Sequence, residues 1–254
     1  ATASFGGLAL LANGHRPADT GYGRSTDLAL RYVMQAMDPD GYLGQGDKSG
    51  MYIHAAATLL GLAALGTLED PERERELAEW CRKAVRVIVE AQEVRRPSHS
   101  RGGWRYTPFT TEADLSVSSW QILTLHAARS CGYPVADAVF DHAIGYVDRS
   151  YLPVEFMRDE QGAIGTYSRD AAGEWQPDPA GERVVTRPAG YTYRAGMTQH
   201  PEASVTGAAI FVKSVVEGRT DRSALSVLPL LRAHPPSWGG EHYDGFFFFA
   251  AFYT

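Results

Sequence analysis

Two kinds of apolar pattern alternate along the chain. In LLGLAALG (59–66), WQILTLHAA (120–128), TGAAIFVKSVV (206–216) and FFFFAAF (246–252), nearly every position is apolar or small. That is the pattern of a helix covered on all sides. Between these segments the apolar residues keep to one stripe. Leu77, Trp80, Cys81, Ala84, Val85, Ile88 and Ala91 follow helical spacing with Arg and Glu opposite. So do Ala138, Val139, His142, Ala143, Tyr146 and Val147, and a shorter set of Ala29, Tyr32, Val33, Ala36 and Met37. Fully covered helices alternating with half-covered ones are what two concentric helical rings require, because only the outer ring meets water. The expectation is an all-α fold, an α/α toroid built as a double ring of about four to five helical hairpins, with 1–254 as one domain.

The apolar helices share an entry. Gly-rich, aromatic turns precede them in DGYLGQGDKSGMYIH (40–54), GGWRYTPFTTEADLSVSSW (102–120), GYTYRAGMTQHPEASVTGA (190–208) and SWGGEHYDG (237–245). Aligning SVSSW with SVTGA places Asp114 over Glu202 and Ser116 over Ser204, the mark of an internal repeat. Successive inner helices entered from one side bring their first residues to one mouth of the ring. His54, Asp114, Glu202 and Asp244 are thereby expected on a common rim. The stretch near 150–201 breaks the rhythm: rich in Gly, Pro and Asp, with β-like pieces at AIGTYS and GYTYRAG, it is expected to be a long irregular insertion covering one mouth.

Composition narrows the reading. At 254 residues the chain can bury a sizeable core, and no apolar run reaches the roughly 18 to 20 residues of a membrane span. The net charge of −6, without an extended stripe of Lys and Arg, argues against nucleic acid as a partner. Cys81 and Cys131 lack metal-type spacing and are expected to be small core residues. Both ends fall inside helical patterns, so a fragment of a longer chain is the expectation. The compartment stays open, with a soluble, cytoplasmic setting expected.

GGWRY followed by SVSSWQILTL, and SWGG at 237–240, resemble the prenyltransferase and squalene-oxidase repeats. These are shared by squalene-hopene cyclases, other terpene cyclases and protein prenyltransferase β subunits, and the resemblance covers nearly the whole chain. It implies a toroid around an aromatic-lined cavity for an isoprenoid or other apolar small molecule. Tyr52, Trp104, Tyr106, Trp120, Tyr191 and Tyr193 would line that cavity, with Trp238 and Tyr243 from the last segment. Glu202 and Asp244 would add polar contacts at its rim.

The same resemblance names Asp114 and His54 as candidate catalytic groups. The Asp-x-Asp-Asp acid motif of the cyclases falls on Asp114, Leu115, Ser116 and Val117, so Ser116 stands where the central acid belongs. The zinc set of the prenyltransferases falls on Asp114, Ser116 and His54, with a hydroxyl in place of the thiolate. No cofactor is therefore expected, a zinc at His54 and Asp114 being the alternative. Other readings stay open. Asp114, Glu112 and Glu202 could cap helices, and His54 could be a hydrogen-bonded core residue. At the level of function the alternatives are a non-catalytic module binding a ligand or a partner domain, and a carbohydrate-active α/α barrel using Asp114, Glu202 and Asp244.

Overall fold

The computed structural model describes residues 2–197, 200–218 and 222–234. Four helical hairpins account for most of them: α1 (Thr2–Ala12) with α2 (Tyr22–Gln35), α3 (Gly50–Ala64) with α4 (Pro71–Gln92), α5 (Leu115–Ser130) with α6 (Asp137–Arg149), and α7 (Ala203–Glu217) with α8 (Arg222–Ala233). Local signals set their limits. Asp70 accepts the Glu72 amide at 2.9 Å, Pro71 fills the first turn of α4, and Glu72 and Glu74 face its positive dipole end. At the other extreme, Gly218 ends α7 in the left-handed region at φ +66°.

The hairpins form two layers. Odd-numbered helices pack side by side, α1 on α3, α3 on α5 and α5 on α7. The even-numbered helices pack against them: α2 on α1 and α3, α4 on α3 and α5, α6 on α5 and α7, and α8 on α7. Burial follows the two sequence patterns. Helix α3 buries residues round most of its circumference, whereas α4 buries the stripe Leu77, Trp80, Cys81, Ala84, Val85, Ile88 and Ala91 with few additions.

Several expectations differ. Ala36 at the end of α2 and Ala138 and His142 on α6 are exposed, α6 packing instead through Phe140, Ala143, Tyr146 and Val147. Tyr32 is 65% exposed, because α2 packs through Leu30 and Val33 and Tyr32 points about 100° away from Val33. Cys131 is exposed at the C-terminal cap of α5, so only Cys81 is a core thiol; both are free.

The insertion is a nested β arm. Strand β1 (Tyr151–Leu152) pairs with β6 (Gly190–Tyr191), β2 (Glu155–Phe156) with β5 (Val185–Arg187), and β3 (Tyr167–Arg169) with β4 (Trp175–Pro177), all antiparallel. Its Asp and Gly residues make the turns. Asp159 Oδ1 accepts the amides of Gln161 and Ala163, and Asp170 Oδ1 those of Ala172 and Glu174. Gly162 and Gly173 occupy the left-handed region these turns need, at φ +80° and +84°.

Candidate functional site

Two of the Gly-rich turns are clamped onto the helices they feed by the same pair of hydrogen bonds, and a third shares one bond of that pair. The Trp104 amide donates to Ser118 Oγ at 2.9 Å, and the Asp114 amide returns to the Trp104 carbonyl at 3.0 Å. One repeat later the Tyr191 amide donates to Thr206 Oγ1 at 2.8 Å, and the Glu202 amide returns to the Tyr191 carbonyl at 3.0 Å. One repeat earlier the Leu43 amide donates to Nδ1 of His54 at 3.2 Å. His54, Ser118 and Thr206 are therefore equivalent positions, and so are Gly50, Asp114 and Glu202.

Of the two readings of His54, the hydrogen-bonded core residue is the one its surroundings fit. Nδ1 accepts from Leu43, so Nε2 carries the proton and donates it to the Ala84 carbonyl of α4 at 2.9 Å. Both ring nitrogens are occupied by backbone, and burial pushes the imidazole down to about 4, so it stays neutral. A zinc ligand needs a free nitrogen lone pair, and this ring has none. Ser116, the other intended ligand, shares a hydrogen bond with the Tyr52 hydroxyl. The residues do not fit a zinc ion, and among the described residues no group of three His, Cys, Asp or Glu could hold any metal.

Trp104 and Tyr191 are also turn anchors. Both are about 1% exposed. The Trp104 indole donates to the Ile88 carbonyl at 2.8 Å, tying the turn to α4, and Tyr191 packs edge-on against Tyr151. Expected as cavity lining, they lie instead between the two helical layers. Glu202 takes the N-cap position of α7 without a side-chain capping bond.

What does converge is a polar cluster at the first turn of α5. Asp114 is fully buried and caps that helix, its Oδ1 accepting the Val117 amide at 2.8 Å. Oδ2 faces Arg105 Nε at 3.4 Å, an ion pair lacking good hydrogen-bond geometry. Arg105 also pairs with Glu112, which takes Arg194 at 2.7 Å on its other oxygen. The hydroxyls of Tyr106 and Tyr193 meet at 2.8 Å, and Tyr52 lies beside Tyr106 with ring centroids 6.4 Å apart. The chain trace holds these tyrosines in place: the Met51 amide donates to the Tyr106 carbonyl at 2.9 Å and the Leu115 amide to the Tyr193 carbonyl at 2.8 Å. Burial raises the Asp114 carboxyl to about 7, although the Val117 amide, Arg105, Tyr193 and Arg194 all favour its charged form. Burial, and next the Asp114 charge, push the Tyr193 phenol up.

An apolar groove runs on from this cluster. Ser116, Trp120, Leu123 and Ala127 fall on one face of α5 by helical spacing. The last three line a groove of about 550 Å³ with Phe5 and Leu8 of α1 and Leu59 and Leu62 of α3. Phe5 and Trp120 meet edge-on across α3, with ring centroids 5.5 Å apart. Trp120 was expected from the sequence; Phe5, Leu59 and Leu123 were not, and only for Leu59 and Leu123 did a place in all-round apolar segments point to them. Arg105 and Arg194 were missed as well, since their partner Glu112 becomes visible only when two repeats are side by side. Trp238, Tyr243 and Asp244 lie outside the described residues. Comparison of the sequence with family models and with curated proteins finds no match to either.

Proposed function

We propose that the chain is an α/α-toroid scaffold of the terpene cyclase and prenyltransferase-like kind, whose odd-helix face holds an apolar chain of the isoprenoid class. The apolar groove between α1, α3 and α5 carries this reading. Its walls are almost without polar groups, and its two aromatic rings offer faces and edges to a branched hydrocarbon. The proposed role is holding a ligand. Ser116 stands at the place of the cyclase acid, and Asp114 is committed to capping α5 and to Arg105.

Each methylene moved from water into such a groove is worth about 0.8 kcal/mol, so affinity should climb with chain length. Titration with geraniol, farnesol and geranylgeraniol, followed by quenching of Trp120 fluorescence, tests this. Binding should strengthen along the series, disappear in Leu123→Glu, and persist in Trp120→Phe when read by displacement of an apolar dye. Failure of all three alcohols to bind, or unchanged binding in Leu123→Glu, would overturn the proposal.

A second reading, a module that docks a partner domain, is favoured by the β arm. Val154, Ile164 and Val185 are 40%, 41% and 51% exposed there, and Trp175 is 39% exposed. Trp175→Ser with Val185→Ser would then weaken partner docking and leave alcohol binding untouched.

A further inference from the structure

The even-numbered layer contains a second, chemically opposite cavity. It measures about 810 Å³ and lies between the C-terminal end of α4 and the first turns of α6. Arg95, Arg96, Arg101 and His142 are on its wall. Arg149 stands beside them, donating to the Arg101 carbonyl. None of these four arginines is in an ion pair among the described residues. The nearby acids are engaged elsewhere: Glu112 with Arg105 and Arg194, and Asp137 with Arg129 at 2.9 Å. Glu93 alone contributes a carboxylate to the wall.

Two further observations point to an anion. Arg96 is 6% exposed, yet every hydrogen bond it makes is to a neutral carbonyl: Ala91 at 2.8 Å, Gln92 and Val94 at 3.1 Å, and Glu112 at 3.5 Å. The carbonyl end of α4 supplies part of the missing negative potential, but a buried guanidinium without a full counter-charge is costly. On the opposite wall, α6 begins at Ala136 without a side-chain cap, and Ala136 and Ala138 line the cavity. The Val139 amide turns back to the Ala136 carbonyl at 3.0 Å, leaving those of Asp137 and Ala138 for an outside acceptor.

We infer that this cavity binds a small phosphate-type anion, with Arg95 and Arg101 as its guanidinium clamp and the start of α6 as its amide end. Planar guanidinium groups match phosphate oxygens two at a time, and several uncompensated cations suit a group carrying two or more charges. The site is separate from the apolar groove and does not depend on the isoprenoid reading. The overall charge of −6 conceals it.

The test is calorimetric titration of the whole chain with inorganic phosphate and pyrophosphate at constant ionic strength. Flotation with phosphatidylcholine vesicles, with and without phosphatidic acid, distinguishes a lipid-borne phosphate from a free one. Arg95→Gln with Arg101→Gln should weaken binding by about tenfold or more. Arg75→Gln with Arg82→Gln, which removes the same charge from the body of α4 away from the cavity, should change it little. The proposal is overturned if neither free anions nor phosphatidic acid vesicles bind, or if both double variants lose binding equally, which would mean unspecific charge attraction.

Discussion

The Leu43 amide meets Nδ1 of His54 in the place where the Trp104 amide meets Ser118 Oγ and the Tyr191 amide meets Thr206 Oγ1. An imidazole thus performs the task of a hydroxyl, and its greater reach adds a bond to the Ala84 carbonyl that a hydroxyl does not make. His54→Ala removes both bonds and opens a cavity, so a loss of about 2–4 kcal/mol is expected from denaturant unfolding. His54→Thr, which can keep the Leu43 bond in the manner of Thr206, should lose less.

The same histidine makes the fold sensitive to acid. Its pKa falls from 6.5 to about 4 on folding, so between those values the unfolded chain binds a proton that the folded chain refuses. Stability is therefore full above pH 6.5 and is lost as the pH falls towards 4, by on the order of 3 kcal/mol for this group. Melting temperatures measured over that range should drop for the natural chain and show a shallower slope for His54→Thr.

Asp114 acts in the opposite direction. Its carboxyl rises from 3.8 to about 7, so the folded chain retains a proton that the unfolded chain releases. The contribution is complete below pH 3.8 and is lost as the pH climbs through 7, by up to about 4 kcal/mol. Asp114→Asn keeps an acceptor for the Val117 amide and has nothing to titrate. Its stability relative to the natural chain should improve steadily from pH 4 to pH 7.

Two glycines mark the close approach of turn to helix. A Cβ on Gly103 would lie 2.7 Å from that of Ala113 and 2.8 Å from the Tyr146 ring; one on Gly190 would lie 2.5 Å from both Leu230 and Pro201. These are matching places in successive repeats. Replacement of either by Ala should cost about 1–3 kcal/mol. Gly6→Ala, on open helical backbone with nothing near it, should be neutral or stabilising by up to about 1 kcal/mol.

The two layers were legible because each leaves its own apolar rhythm, and the alignment of Asp114 with Glu202 and Ser116 with Ser204 places residues that the hydrogen bonds show to be equivalent. Extending it to the first repeat was beyond sequence reading. Gly50 stands there where the other repeats have acids, and His54 where they have hydroxyls, so chemical likeness fails although the task is the same. For the same reason His54 drew two readings from the sequence, a catalytic or metal-binding group by resemblance and a hydrogen-bonded core residue by its apolar surroundings; its bonds to Leu43 and Ala84 fit the second. Trp104 and Tyr191 read as lining because an aromatic residue gives no sign of which side of a helix layer it will enter. The Arg105, Glu112 and Arg194 network joins repeats far apart in sequence, and no local pattern announces such pairing.

Where the arm leaves the helical array and where it returns, the Thr192 amide donates to the Ser150 carbonyl at 2.8 Å. Departure and return are thus one hydrogen bond apart, and the cost of closing a chain between such points grows slowly with its length. The segment from 153 to 188, short of the buried Ala189, can be lengthened, shortened or exchanged while the anchors Tyr151 and Tyr191 keep their contact. That makes it the part of the molecule where new recognition can evolve without renegotiating the core.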